Sequence, residues 1–420
     1  MHMNTAENLE LPPPPLRKNS EYRLWLAGSI FRGIGTQIGA FAFPLVAYYI
    51  TQDTAIAGTV AMIDGIGMAL GFLPGGIIAD RYDRRAQQII SAILGILTQV
   101  ALVLILLSGH ATWEIIAVIG ALDSFRVSLL GLSGITMLKQ MVPQQQLPNA
   151  FAVNEGRDSA IAIASKPLSG ALLALGMAVP ALIDLLGQAG SLLFSALMKE
   201  KYPPSKTPQE PKRVREDLSE GFKWISATAL RREICILVII LNIGINGILG
   251  TVTLWLAENN ISPAKIGFTS TGIAVGILLG SLATPIISKH LPTGKIIFLT
   301  TAFQLVGGIG VIAAGLNLTL ITLSSIALGL GVAPANAGMQ SYLMHITPTQ
   351  MQGRVSSIIA LLATGILPFA SAFSGWSLKY FGGGITLTVF TAFLVFSLAL
   401  ILLGRKIIAI PHPDEWEENT

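Results

Sequence analysis

Charge is what this sequence has least of. Among its 420 residues only 12% are Asp, Glu, Lys or Arg, against about 25% in an ordinary soluble domain. A water-exposed protein of this length needs a polar skin, and this chain cannot supply one. Cysteine is almost absent too: Cys235 is the single one, so no intrachain disulfide can form, and among Leu, Ile and Val it reads as a small apolar filler. There is no P-loop, no HExxH and no Cys/His cluster, and the five histidines lie mostly at ends and connections. We therefore expect neither an enzyme nor a cofactor or metal site. What is abundant is apolar: 52% of the residues are hydrophobic and the mean hydropathy is +0.66. The 43 glycines and 22 prolines, which would signal loops in water, are both common in membrane helices, where small residues let backbones approach. With charges this sparse, the net +4 is no argument for a nucleic-acid partner.

Apolar stretches long enough to cross about 30 Å of hydrocarbon fall near 24–50, 56–79, 86–107, 112–139, 147–174, 177–198, 233–257, 266–288, 294–314, 318–343, 355–378 and 384–404. The reading is an all-α polytopic membrane protein with twelve transmembrane helices. One set of connections holds Arg17, Lys18 and Arg23, then Arg81, Arg84 and Arg85, Lys139, nine basic residues between Lys199 and Arg232, Lys289, Lys295, Arg354, Arg405 and Lys406. The other set holds only Lys265 and Lys379. Basic residues stay on the cytoplasmic side, so both termini are expected there. Pro12 to Pro15 and their polar neighbours read as a disordered tail rather than a signal peptide.

The polar, basic stretch 199–232 is the one long break among the spans and divides the chain into six-span bundles at 24–198 and 233–405, with tails at 1–23 and 406–420. Within it, Asp217 to Ile225 carries Leu218, Phe222, Trp224 and Ile225, the pattern of an amphipathic helix on the inner leaflet. The halves resemble one another. At an offset of 209 residues, Gly71 meets Gly280 and Asp80 meets Lys289, and Pro143 and Pro348 occupy equivalent turns. Duplicated bundles around a central cavity suit a transporter, because rocking one against the other exposes the cavity to each side in turn.

Between the second and third spans the chain reads Gly76-Ile77-Ile78-Ala79-Asp80-Arg81-Tyr82-Asp83-Arg84-Arg85. This resembles the loop signature of the major facilitator superfamily, G-x-L-A-D-R-x-G-R-R. Tyr22-Arg23-Leu24-Trp25-Leu26, Asn149-Ala150 and Gly353-Arg354-Val355 are similar to its macrolide-efflux and enterobactin-exporter-like branch. The resemblance spans residues 20–405. It implies two pseudo-symmetric six-helix bundles, a monomer in the bacterial inner membrane, and a cytoplasmic gate built from Gly76, Asp80, Arg81, Arg84 and Arg85. The residues suit that role: Gly75 and Gly76 permit close helix approach, Asp80 can accept from helix N-terminal amides or an arginine, and the arginines can anchor to anionic headgroups. Two departures stand out. Asp83 replaces the glycine of the loop, and Lys166-Pro167-Leu168-Ser169-Gly170 puts a lysine where antiporters of the superfamily often have the glycine of a Gly-Pro pair.

Charges inside the spans are confined to the first half: Arg32, Asp64, Asp123, Arg126, Glu155, Arg157, Asp158, Lys166 and Asp184. Ionised groups at bilayer depth are costly unless paired or wetted. Asp123 and Arg126 are spaced to pair on one helical face, and Glu155 and Asp158 to share another. Two close carboxylates disfavour joint ionisation, which suits a proton carrier, while a nearby base opposes that. Arg32 and Asp184 can equally be interfacial. The second half offers neutral groups, Asn242, Asn246, Trp255, Asn336 and Gln340, which hydrogen-bond without demanding a charge. Taken together, Asp64, Asp123, Arg126, Glu155, Asp158, Lys166 and Arg32 are the candidates for proton coupling or substrate binding. The expected function is a proton-coupled exporter of amphipathic small molecules. The rival is a symporter or facilitator importing an anionic or zwitterionic metabolite held by Arg32, Arg126 and Lys166. The expected partners are the solute, protons and lipid.

Overall fold

Short polar side chains start the first three long helices. Asn19 accepts from the Tyr22 amide at the head of α1 (Ser20–Thr51), Asp53 from Ala55 and Ile56 ahead of α2 (Thr54–Arg81), and Asp83 from Ala86 ahead of α3 (Arg84–Leu107), each satisfying amides that the first turn leaves free. The computed structural model describes residues 16–203, 214–348 and 351–419. The described residues form no strand. Their helices continue with α4 (Trp113–Gly131), α5 (Ser133–Met141), α6 (Leu147–Leu175), α7 (Val179–Leu197), α8 (Val214–Ala227), α9 (Ala229–Glu258), α10 (Pro263–Thr269), α11 (Gly272–Ile287), α12 (Thr293–Ala314), α13 (Leu318–Leu330), α14 (Val332–Ile346), α15 (Gln352–Gly365) and α16 (Leu367–Gly404).

Burial is arranged for an apolar solvent. On α3, Gln87, Gln88, Ser91 and Gln99 are buried, whereas Ile90, Leu94, Leu97, Leu104 and Leu107 face outward. A soluble helix does the reverse. Among the described residues nine stretches are long and apolar enough to cross a membrane. The expected spans at 112–139 and 147–174 are not among these. Helix α4 carries Glu114, Asp123 and Arg126, and α6 carries Glu155, Arg157, Asp158 and Lys166, which lowers their hydropathy without shortening the helical path. The last stretch runs from Arg354 to Gly404 but is not straight. Gly382 takes a φ of 76° and a ψ of 170° inside α16, a conformation open to glycine. Ser377 and Thr386 then bring their hydroxyls within 2.9 Å of each other, although nine residues of straight helix would separate them by about 13 Å. The chain turns back there.

The internal repeat has a packing role. Gly67, Gly71 and Gly75 of α2 lie against the backbone of α4 around Ala121, Phe125 and Ser128, and a Cβ at Gly71 would sit 2.5 Å from the Phe125 carbonyl oxygen. In the second half Gly272, Gly276 and Gly280 of α11 lie in the same way against α13 around Thr322, Ile326 and Leu330. Glycines one turn apart form a stripe on which a neighbouring helix can rest, and the pair Gly71 and Gly280 found at offset 209 belongs to both stripes.

The ends of the first half gather around Glu21, Arg84, Arg85 and Tyr202, and those of the second around Glu220, Glu233, Arg354 and Lys406. Helix α8 confirms the helical pattern read over 217–225, yet it docks on protein: Glu220 pairs with Arg354, Gly221 lies on Ile358, and Ile225, Ile358 and Cys235 share a small cluster. Residues after α16 also pack. Ile407 and Ile410 are buried, the Gly294 amide donates to the Ile410 carbonyl at 3.1 Å, and Trp416 sits against Tyr342 and His345.

The halves meet at the end away from the termini. Lys379 donates to Asp53 at 2.5 Å, Thr54 to the Gly375 carbonyl at 3.1 Å, and the Trp376 indole to Thr59 at 3.0 Å. Gly58 lies on Gly375 and Gly65 on Pro368, while across the molecule Lys166 and Gly170 of α6 meet Pro263 and Gly267 of α10. Toward the terminus-bearing end of α2 a Cβ at Gly76 would meet nothing within 4 Å.

Candidate functional site: a buried polar network facing a neutral cavity

The α4 pair is the anchor of the first half. Asp123 and Arg126 are one helical turn apart, and the Arg126 Nη2 lies 2.8 Å from Asp123 Oδ1 with both side chains buried. Helix α3 completes the coordination: Thr98 donates to Asp123 Oδ1 at 2.8 Å, and the Ser91 carbonyl and hydroxyl accept from Arg126 Nη1 at 2.9 and 3.0 Å. Helix α7 joins through Gln188, whose Oε1 lies 3.5 Å from Arg126 Nη1 and whose Nε2 donates to Asp184 Oδ1 at 2.9 Å. Gln99 of α3 donates to the other Asp184 oxygen at 2.8 Å. A buried ion pair holds only when its remaining hydrogen-bonding capacity is met, and three helices contribute here to meet it. Asp64 of α2 is attached from the side, accepting from Ser124 at 2.5 Å.

Asp184 is therefore not interfacial. It is 1% exposed and central to the network; the one local signal for it is Gln188 four residues on, a neutral partner that does not mark a buried charge, and its other partner comes from α3. Arg32 is half-buried and donates to Gln88 at 3.0 Å. Glu155 and Asp158, expected to share a face turned to the bundle interior or to a water-filled cavity, are both exposed. Asp158 is held by its neighbour Arg157 at 2.9 Å, whose guanidinium lies 5.6 Å from the Trp25 ring centre. Adjacent residues point apart on a helix, so helical spacing does not announce this pair; the long arginine bends back to make it. Lys166 is half-buried at the contact with α10, and among the described residues no hydrogen bond or ion pair engages its ammonium. Glu155 precedes it by 11 residues, about three turns, and so lies on the stripe of α6 that faces the second half.

In the second half a cavity of about 290 Å³ is lined by Asn242, Asn336, Gln340, Met339, Met344 and Ser356 with apolar neighbours. A smaller one of about 40 Å³ continues from Asn242 and Asn336 to Gln304. Three of the five expected neutral residues thus line the same space. Asn246 spends its amide on the Asn242 carbonyl at 3.0 Å. Trp255 is elsewhere: its ring packs on Gly383 at the turn of α16, far along α9 from Asn242.

The loop signature divides. Arg81 is exposed at the end of α2. Arg84, expected to reach lipid headgroups, is buried and donates to the Pro203 carbonyl at 2.9 Å. Arg85 donates to the carbonyls of Ser195 and Ala196 at the end of α7, where a cation complements the helix dipole. Both are held within their own half. Asp83 caps α3 and accepts from the Tyr202 amide at 2.8 Å, a role that glycine could not fill. The Asp80 side chain lies outside the described residues.

A model of the Major Facilitator Superfamily matches residues 25–371. The chain belongs to that superfamily. Among similar members, the Enterobactin exporter EntS of Escherichia coli O127:H6 is 24% identical over 323 residues, 76% of this chain and 75% of that protein. The Multidrug efflux pump Tap of Mycolicibacterium fortuitum is 24% identical over 412 residues, 95% of this chain and 97% of that one. Solved structures of the same fold include a bacterial homologue of the iron transporter ferroportin in an inward-facing state (TM-score 0.71, 16% identity, 94% of this chain and 100% of that one). The nucleoside transporter NupG is another (TM-score 0.67, 15% identity, 92% and 99%). The superfamily chain described here is thus an all-helical multi-pass membrane transporter of small molecules.

Proposed function

We propose that this protein is a proton-coupled exporter of amphipathic small molecules that works by alternating access. The observation that carries the reading is the asymmetry of the two halves: a buried, hydrogen-bonded ionic network on one side and a neutral cavity on the other, in a chain similar to an exporter and to a multidrug pump. Twelve crossings follow if the interrupted helices α4–α5, α10–α11, α13–α14 and α15–α16 each form continuous paths and α16 counts twice around Gly382. The bundles are then 24–198 and 233–405, with both termini in the cytoplasm of a bacterial inner membrane. Contact at Asp53–Lys379 and Lys166–Gly267, with open space beside Gly76, corresponds to closure outside and opening inside. The solute enters from the cytoplasm, lies against Asn242, Asn336 and Gln340, and meets Glu155, Asp158, Lys166 and Arg32 across the opening. Gly76, Asp80 and Arg81 close that opening in the alternate state. Asp64, Asp123 and Arg126 transmit the change in charge.

A second reading has its own observation. The ammonium of Lys166, which no hydrogen bond or ion pair among the described residues engages, would attract an anionic or zwitterionic metabolite, as in an importer or facilitator.

Sealed vesicles containing the purified chain, with an imposed pH gradient and a panel of amphipathic dyes, separate the two. The exporter moves dye and protons in opposite directions. Movement in the same direction establishes the rival, and no dye movement for any gradient rejects the export reading. Replacing Glu155 and Asp158 together by Gln and Asn is expected to lower gradient-driven transport at least tenfold, and an unchanged rate removes both from coupling.

A further inference from the structure

One buried carboxylate has no part in the scheme above. Asp184 is enclosed by α1, α3, α4 and its own helix. The charged side chains that face it are Asp123 and Arg126 of α4, and Arg126 gives its closest hydrogen bonds to Asp123 and Ser91, reaching Asp184 only through Gln188. Helix α1 presents Gly35 and Gly39 to it and α3 presents Gln99, while Thr36 and Gly95 meet its neighbour Gln188. Asp184 therefore has two amide donors and no cation of its own. An ionised carboxylate held in this way at low dielectric is expensive, and the cost is removed by a proton.

Gln99 is suited to both states. It is 1% exposed, its Nε2 donates to Asp184 Oδ2, and its Oε1 is buried without a hydrogen-bond partner. The two ends of an amide exchange by a half-turn of χ3. With the carboxylate ionised, Nε2 donates to Oδ2. With Oδ2 protonated, the rotated amide presents Oε1 to the new O–H. Gln99 also lines a crevice of about 10 Å³ that runs between Phe43 and Leu106 to Met177 and Pro180, at the end of the molecule where α7 starts. That space is at the lower limit of size for one water, and Gln99 is the one polar side chain that lines it.

We propose that Asp184 is a proton-binding site loaded from the outer aqueous phase through the crevice at Gln99, and that α1 senses its state. The inference rests on the proton-coupled reading and names its proton carrier. A hydronium in the crevice gives up one proton, an O–H bond forms at Asp184 Oδ2, and water is left behind; release reverses these events. Helix α1 rests directly on the carboxylate: a Cβ at Gly35 would lie 2.5 Å from Oδ1, and one at Gly39 would lie 3.2 Å from Oδ2. One turn before Gly35, Arg32 is bonded to Gln88 of α3, so a shift of α1 driven at Asp184 reaches a side chain that the proposed function gives to the solute.

The test uses the full chain in lipid, as wild type, Asp184→Asn and Gln99→Leu. Infrared difference spectra between alkaline and acidic buffer are expected to show a protonated-carboxyl band in the wild type. That band is lost in Asp184→Asn and displaced in Gln99→Leu, which keeps the carboxylate and so reports even if the first variant fails to fold. In vesicles, Asp184→Asn loses gradient-driven transport down to the level without a gradient while solute counterflow persists. A band that survives Asp184→Asn, or gradient-driven transport undiminished by it, overturns this inference and leaves the exporter reading standing. A band lost in Asp184→Asn together with wild-type transport that ignores the pH gradient leaves the site in place and rejects proton-coupled export.

Discussion

The two halves share a packing scheme and differ in what they bury. In each, a glycine stripe on one helix (α2 or α11) lets another (α4 or α13) settle at backbone distance. The first half uses the space between those frames for charge, with Asp123, Arg126 and Asp184 tied by Thr98, Ser91, Gln99 and Gln188. The second half leaves a cavity lined by neutral amides and methionines. The two copies thus share a scaffold and differ in what it encloses, buried charge in one and a neutral cavity in the other. Charge belongs in the copy where three helices can satisfy it, because an unsatisfied ion costs more at bilayer depth than any neutral contact returns.

The largest expected effect tests the charged half. Arg126→Ala leaves Asp123 buried with only the Thr98 hydroxyl. It should lower stability by about 3–5 kcal/mol, read as a fall in the unfolding temperature in detergent. Exchanging both partners for apolar residues of similar size should recover much of that loss, and equal damage from single and double variants would contradict the paired burial. Next come the shared stripes. Gly71→Val and Gly276→Val each push a side chain into the facing backbone and should cost about 1–3 kcal/mol. Similar losses in the two halves support a common scaffold, and a loss confined to one half breaks the equivalence.

In the neutral half, Asn336→Ala or Gln340→Ala removes one hydrogen bond worth about 1 kcal/mol, so KM for a transported dye should rise about fivefold with the unfolding temperature unchanged. Gln304→Leu is the counterpart of the arginine test. Its buried Oε1 has no partner, so stability should change by less than about 1 kcal/mol; a loss as large as that from Arg126→Ala would mean that the second half also depends on a polar network.

The smallest effect lies where the halves touch. Partial burial pushes the Asp53 carboxyl upward, but the Lys379 hydrogen bond and the Ile56 and Ala55 amides outweigh it and hold the group below its ordinary value of 3.8. A depressed folded-state pKa gives a contribution that is complete above the ordinary value and fades as pH falls through the lowered one. Closure at this end should therefore be constant near neutrality and loosen only in acid below that value. Asp53→Asn, which retains an N-cap oxygen, should abolish the acid dependence. Accessibility of a cysteine placed at Thr59 in a Cys235→Ser background reports it.

Much of the site was legible where partners are local. The Asp123–Arg126 pair follows from helical spacing, and Asn242, Asn336 and Gln340 stand out as amides in otherwise apolar spans. The Asp184 site was not legible. Its two glutamines lie on different helices, one of them 85 residues away, and neither is a charge that would prompt a search for a counterpart. For Glu155 and Asp158, spacing put the two on related faces but could not say whether those faces were covered by protein, and both are exposed. Arg84 and Arg85 read as surface anchors in the sequence, but carbonyls of the last turn of α7 and of the segment after it accept from them.

By itself the sequence determined that this is a helical membrane protein, built twice, with its ionic groups in the first copy. Those properties depend on composition, on hydropathy along the chain and on a glycine repeat, all of which are local or additive. Only the tertiary structure decided which acid sits beside which base and which amide faces an empty space. Such pairings depend on how helices are registered and rotated against one another, and a shift of one turn at a glycine stripe would exchange every partner without altering a single span.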